Sequence, residues 1–193
     1  MRKKVMMGLG CILLGAGGYL VHAASNGSPP VSVKEGMEVA KSLIQRKSPE
    51  IHHSELVFVR NIYDVDDIAI AYQYDMITAG QRNGYIVIGS RTDLPVLLAY
   101  APGSSLEEMP VSQEKKLYYV GPMQFLAAQN KEQLQAAFQA KKNKMLELFR
   151  QNRKEQTSEF RSLQRRELQP IQRDAKYKEK WGEIRGEAPG LPE

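Results

Sequence analysis

Three short stretches hold the side chains whose type and spacing come nearest to catalysis or metal binding in this chain of 193 residues: the pair His52 and His53, the acidic run Asp64, Asp66 and Asp67, and Ser90 in the segment IGSRT. Adjacent histidines in an extended segment point to opposite faces and cannot clasp one metal ion together, so they read as surface or loop residues. A Ser-His-Asp hydrolase would recruit one of them to Ser90. A nucleophile elbow, however, has the form Gly-x-Ser-x-Gly, and no second glycine follows Ser90. The three aspartates would suit a calcium loop only with a fixed glycine and a bidentate glutamate at its end, and neither is in place. A polar turn between two strands accounts for them. The glycines of residues 8–18 belong to an N-terminal apolar segment, not to a phosphate-cradling loop. The sequence therefore assigns no catalytic residue, no metal ligand and no cofactor.

That N-terminal segment reads MRKKVMMGLGCILLGAGGYLVHAASNGSPP. Arg2, Lys3 and Lys4 precede 17 uncharged residues, 5–21, and Val21 and Ala23 place small or apolar side chains at the positions a signal peptidase reads. A secretory signal over residues 1–23, cleaved between Ala23 and Ala24, is expected; the alternative is a retained N-terminal membrane anchor. The run has the lower-limit length for crossing a bilayer and carries five glycines. A lipoprotein would need Cys11 acylated, but six apolar-run residues precede it and ten follow, which puts the hydrophobic stretch on the wrong side. Cys11 is the only cysteine. Once it leaves with the signal, the exported chain has no thiol, disulfide or cysteine ligand and cannot itself be a cysteine peptidase. The formal net charge of +5 falls to +2 with the loss of Arg2, Lys3 and Lys4, too little to argue for nucleic acid.

Residues 24–30 form a small-residue spacer. Ser32 and Glu35 match a capping box, and Val33, Met37, Ala40, Leu43 and Ile44 recur at helical spacing until Ser48, Pro49 and Glu50 stop the pattern. Over residues 55–100 the period becomes two. ELVFVRNIY (55–63) is a strand, and DIAIAYQYDM (67–76) sets Ile68, Ile70, Tyr72, Tyr74 and Met76 on one side against Ala69, Ala71, Gln73 and Asp75. TAGQRNG, ending in Asn83 and Gly84, suits an antiparallel hairpin. YIVI (85–88) and VLLAY (96–100) are apolar at consecutive positions, which predicts cover on both faces and a place in the middle of the sheet. A further strand is expected over 116–120.

After Gly121 and Pro122 a helix start is expected, with Met123, Leu126, Ala127, Leu134, Ala137, Phe138, Met145, Leu148 and Phe149 on one stripe and a second cap at Asn130. Residues 150–159 contain no hydrophobic side chain; only Phe160, Leu163, Leu168 and Ile171 follow at intervals, as in a projecting or partly disordered helix. Residues 141–185 hold 14 basic and 7 acidic side chains. Such a run is either a solvated face with weakly paired charges or an electrostatic foot for an anionic cell wall, a membrane surface or an acidic partner. Phe160, Tyr177 and Trp181 are too sparse to stack nucleic-acid bases.

The expected fold is α+β: an N-terminal helix packed on a four- to five-stranded antiparallel sheet, followed by a long basic C-terminal helix. Its divisions are the signal (1–23), the spacer (24–30), an α+β domain (31–125), the basic helical region (126–185) and a disordered tail (186–193).

The segment GYIVIGSRTDLPVLLAYAPGSS is similar to the signature of the propeptide domains of streptopain-type cysteine proteases and their related small inhibitors. The matching positions are Gly84, Tyr85, Ile86, Val87, Ile88, Pro95, Leu97, Leu98 and Tyr100, and KKLYYVGPMQFL also resembles a segment of N-terminal domains of secreted papain-like proteins. Ala99 stands where that family has glycine, the acidic residue after the third strand is displaced to Asp93, and the basic tail has no counterpart. The resemblance covers residues 31–125. It implies a domain that blocks a papain-like protease until release; no catalytic domain follows residue 149, so a free-standing inhibitor or folding assistant is implied, or a relative with another binding task. The matched residues are scaffold, not inhibitory contacts. The expectation is thus a non-catalytic exported binding protein whose partner is a secreted papain-like cysteine protease. The alternative is a cell-envelope adaptor resting its basic helix on an anionic surface. An enzyme using Ser90 or the histidine pair has the least support.

Overall fold

The computed structural model describes residues 28–49, 53–104, 115–122 and 124–186. The elements are α1 (Val33–Lys47), β1 (Glu55–Tyr63), β2 (Ala69–Thr78), β3 (Gln81–Gly89), β4 (Leu97–Pro102), β5 (Lys116–Gly121), β6 (Gln124–Ala128), α2 (Lys131–Gln151), α3 (Ser158–Arg165) and α4 (Lys176–Arg185). All six strands join one sheet in the order β4-β3-β2-β1-β5-β6. Every neighbouring pair is antiparallel except β1 and β5, which run parallel. The α+β class is as expected, but the sheet is mixed and larger than four or five antiparallel strands. The signal segment with Ala23 and Ala24, His52, Met123 and residues 187–193 lie outside the described residues.

The capping box closes α1 as its sequence requires. The Ser32 hydroxyl accepts from the Glu35 N–H and the Glu35 carboxylate accepts from the Ser32 N–H, each at 3.2 Å. Val39, Ala40, Leu43 and Ile44 then pack on Leu56, Tyr74, Met76, Ile86 and Ile88 of the sheet. On the opposite face Tyr85, Val87, Leu98 and Ala99 meet Ile62, Leu117 and Phe125. All four residues of YIVI are therefore buried, alternately on the two faces.

Four expectations are corrected by this arrangement. The tight turn after β2 is Ala79–Gly80, with φ of 51° and 75°, because Thr78 pairs with Gln81; two successive left-handed residues match the strand twist. Asn83 and Gly84 lie inside β3 instead. Strand β4 is an edge of the sheet, so its consecutive apolar residues record cover on two faces and not a central position. Gly121 and Pro122 form a turn, not a helix start. The QFLAA segment after them is strand β6, whose Phe125 and Ala127 face one core while Leu126 and Ala128 face another.

The fourth correction concerns the C-terminal region, which is not one long projecting helix. It divides into α2, α3 and α4, and the chain between α3 and α4 returns across the body. Along the way Leu168 and Ile171 pack on separate parts of the core. Trp181 of α4 is 1% exposed, joins the α1 side of the core, and donates its indole N–H to the Leu94 carbonyl at 3.0 Å. Arg185 pairs with Glu35 of α1 at 2.8 Å. Burial of an indole with its N–H satisfied is enough to hold such a strap in place.

Candidate functional site

The residues singled out for chemistry do not assemble. Ser90 is buried at the end of β3, its hydroxyl donating to the Ala69 carbonyl at 3.3 Å. His53 precedes β1, whose first residue pairs with Ile77, whereas Gly89 pairs with Ala71. Six residues of β2 separate those two levels, roughly 20 Å at 3.3 Å per residue. Among the described residues no group of three His, Cys, Asp or Glu side chains is placed to hold a metal ion.

The aspartate run is the polar turn expected of it. The Asp64 carboxylate accepts from the N–H groups of Asp66 and Ile68 at 2.9 and 3.0 Å. Burial raises its pKa above the ordinary value, against the pull of those two bonds. Asp67 accepts from the Tyr118 hydroxyl at 2.6 Å and from Lys116 at 3.0 Å; chiefly the tyrosine, then the lysine, hold its carboxyl below the usual range. Asp66 pairs with Lys131 at the start of α2. The turn thus fastens the β1–β2 hairpin to β5 and α2.

The segment from Gly84 to Tyr100 packs into the sheet and its two cores. Gly84 has φ of +124°, and a Cβ there would meet the Ala101 carbonyl at 2.6 Å. Ile86 and Ile88 fill the α1 side, Tyr85, Val87 and Leu98 the other, and Leu97 and Tyr100 flank the α1 side. Pro95 ends a buried loop in which Arg91 grips Asp93 through two bonds of 3.0 and 3.3 Å. That loop is held by the segment before α1 and by the segment before α4: Val31 donates to the Ser90 carbonyl at 2.9 Å and Asp174 to the Asp93 carbonyl at 2.9 Å. A second ion pair, which sequence spacing did not signal, joins buried Asp75 to the more exposed Arg82 at 2.6 Å, and Gln73 also donates to Asp75.

A wide concavity lies elsewhere, where β6 meets α2 and α3. Asn130 caps α2, accepting from the Gln133 N–H at 3.0 Å, and Leu134 and Phe138 bury one end of the helix on the body. Arg153 takes a left-handed φ of 55° and Lys154 donates to the Phe149 carbonyl at 2.8 Å, which reverses the chain. Thr157 caps α3 by accepting from the Phe160 N–H at 3.2 Å. Phe160 then packs edge-on against Phe149, ring centres 6.0 Å apart, and closes a helical hairpin.

Arg166 fixes this hairpin to the sheet. Its guanidinium donates to the Val120 carbonyl at 2.9 Å and lies across Gly121, where any Cβ would collide with it. Its own carbonyl accepts from Lys142 at 2.8 Å. Between the hairpin and the turn before β6 an open groove of about 860 Å³ is walled by Ser158, Arg161, Ser162 and Arg165 on α3 and by Gln124 on β6. It continues past Gln124 and Arg166 into about 440 Å³ over Met145, Phe149 and Leu163. Lys141 and Lys142 stand at the inner end. Arg161 and Arg165 are four residues apart, as are Ser158 and Ser162, so one face of α3 presents all four.

Hairpin residues 131–166 carry ten basic and four acidic side chains. Glu159 stays ionised, its carboxyl held low first by its own N–H and then by the Ser158 hydroxyl. Met145 and Leu148 remain 42% and 43% exposed on α2. Sequence reading placed the charge here but missed the groove, because it exists only once α3 folds back on α2. The uncharacteristic gap at 150–159, followed by Phe160 and Leu163, was the available signal of a reversal. No family model, curated protein or solved structure matches this chain.

Proposed function

We propose that this is a non-catalytic binding protein of the cell envelope, in which the sheet, α1 and α4 form a rigid scaffold and the α2–α3 hairpin is the surface that rests on an anionic partner. One observation carries the reading: the excess of basic side chains on the hairpin coincides with its groove and with exposed Met145 and Leu148. Clustered cations beside apolar side chains favour an anionic surface by charge and by contact together. Passage across the membrane would be directed by the segment ahead of Ala24.

The test uses the full chain in neutral detergent on a phosphate-bearing resin. It is expected to be retained at low salt and released as salt rises, and the quadruple variant K141Q/K144Q/R161Q/R165Q is expected to elute much earlier. Retention indifferent to salt, or to that variant, contradicts the reading.

A different surface favours the protease-inhibitor reading that the propeptide resemblance implies. Val57 and Phe58 are exposed on β1, and β5 pairs with β1 only at Ile62 and Tyr63. Among the described residues the first half of β1 pairs on one side alone, leaving backbone groups open to strand addition. Titration against a secreted papain-like protease should then show loss of protease activity that V57S/F58S relieves; unchanged activity at saturation removes this reading.

A further inference from the structure

The groove changes character along its length. Its larger part has guanidinium and hydroxyl groups on one helix face, whereas the smaller part adjoining it adds the apolar side chains of Met145, Phe149 and Leu163, with the Glu159 carboxylate at its edge. Arg165 makes no ion pair or side-chain hydrogen bond among the described residues. Arg161 commits only one of its donors, to the Gln156 carbonyl at 2.9 Å. Two arginines one helical turn apart, with serine hydroxyls beside them, match the geometry of a phosphate, which accepts paired N–H donors.

A free phosphate would leave those apolar side chains uncovered, and so would a hydrophilic wall polymer. An acidic peptide would satisfy the arginines but has no reason to place an apolar chain directly beside its charge. A phospholipid joins those two chemistries in that order. Met145 lines the groove and is also exposed beside Leu148, so the apolar path continues from the groove to the hairpin surface.

We propose that the groove between β6, α2 and α3 binds one anionic phospholipid, its phosphate gripped by Arg161 and Arg165 and an acyl chain laid over Met145, Phe149 and Leu163. This deepens the envelope-surface reading and rests on it, by naming what the hairpin recognises.

The experiment is a calorimetric titration of the full chain in neutral detergent with dihexanoyl phosphatidylglycerol, dihexanoyl phosphatidylcholine, glycerol 1-phosphate and a short polyglutamate. Phosphatidylglycerol is expected to bind at least tenfold more tightly than the other three. R161Q/R165Q should weaken it at least tenfold, and M145Q several-fold, with the emission of Trp181 unchanged in both. Equal affinity for the two lipids, glycerol 1-phosphate matching phosphatidylglycerol, polyglutamate matching it, or an undiminished double variant would each overturn the proposal. If lipid selectivity fails while salt-sensitive retention on the phosphate-bearing resin persists, the specific ligand is lost and the surface reading stands. Loss of both removes the two together.

Discussion

Trp181 and Met145 belong to the same basic C-terminal segment, yet the first is sealed in the core at 1% exposure and the second stays 42% exposed. The difference lies in what each helix is tied to. Helix α4 is anchored by the indole bond to Leu94 and the Arg185–Glu35 pair, so its polar face is the outside of the scaffold. The α2–α3 hairpin is fastened at its base, through Leu134, Phe138 and Arg166, while its far half packs largely on itself through Leu146, Phe149 and Phe160. Two basic segments thus end differently: α4 is sealed as a strap, and the hairpin keeps Met145 and Leu148 exposed.

Removing the anchor should show the largest effect. Trp181→Ala is expected to destabilise the chain by about 3–5 kcal/mol, the range for deleting a buried large aromatic, measured by urea unfolding. Trp181 is the single tryptophan, so its emission follows the strap directly and should move to longer wavelength as α4 leaves the body. A loss below about 1 kcal/mol would mean that the strap is not structural.

Gly84→Ala should cost about 1–3 kcal/mol, because φ of +124° strains any side chain and the new methyl would press on the Ala101 carbonyl. The same unfolding assay measures it, and an unchanged midpoint would contradict the tight β3–β4 approach.

A smaller effect is expected where the body meets the hairpin's base. Asp67→Asn removes the negative charge to which Tyr118 and Lys116 donate, and since Asp67 is half exposed, solvent screening holds the loss below about 1 kcal/mol at neutral pH. The folded pKa of Asp67 is depressed, so its contribution is complete above the unfolded value of 3.8 and disappears as pH falls through the folded one. The variant should therefore converge on the parent in acid. Asp64 acts in the opposite sense. Its raised pKa makes stability fall as pH rises from 3.8 through the folded value, which Asp64→Asn should abolish. Unfolding midpoints between pH 3 and pH 7 separate the two, on the order of the ordinary carboxyl range.

Smallest of all, R161Q/R165Q should change stability by less than about 0.5 kcal/mol, because neither side chain is part of a buried network. A large loss would make the arginines structural and erase the contrast with Trp181.

Much of the scaffold was legible because local chemistry decided it. Ser32 with Glu35 set the start of α1, Asn130 the start of α2, and the alternation of 55–63 and 67–76 the first hairpin. The segment TAGQRNG holds two candidate turns, Ala79–Gly80 and Asn83–Gly84, and the pairing of Thr78 with Gln81 puts the turn at the first while Asn83 and Gly84 fall at an irregularity of β3 opposite Met76. QFLAA had no distinctive helix or strand period in five residues, and only its pairing with β5 decided the matter. The groove was illegible for a different reason. Its walls come from residues 124, 145 and 161, brought together by Phe160 on Phe149 and by Arg166 over Gly121. Spacing along the chain does not report such non-local packing.

The division of labour between scaffold and hairpin is tested most directly by comparing two variants of the full chain on the phosphate-bearing resin, with Trp181 emission confirming the fold of each. K141Q/K144Q/R161Q/R165Q should lose retention at salt where the parent is held, and V57S/F58S should elute with the parent. If the sheet-edge variant loses retention and the hairpin variant keeps it, the working surface is β1 and the account is wrong.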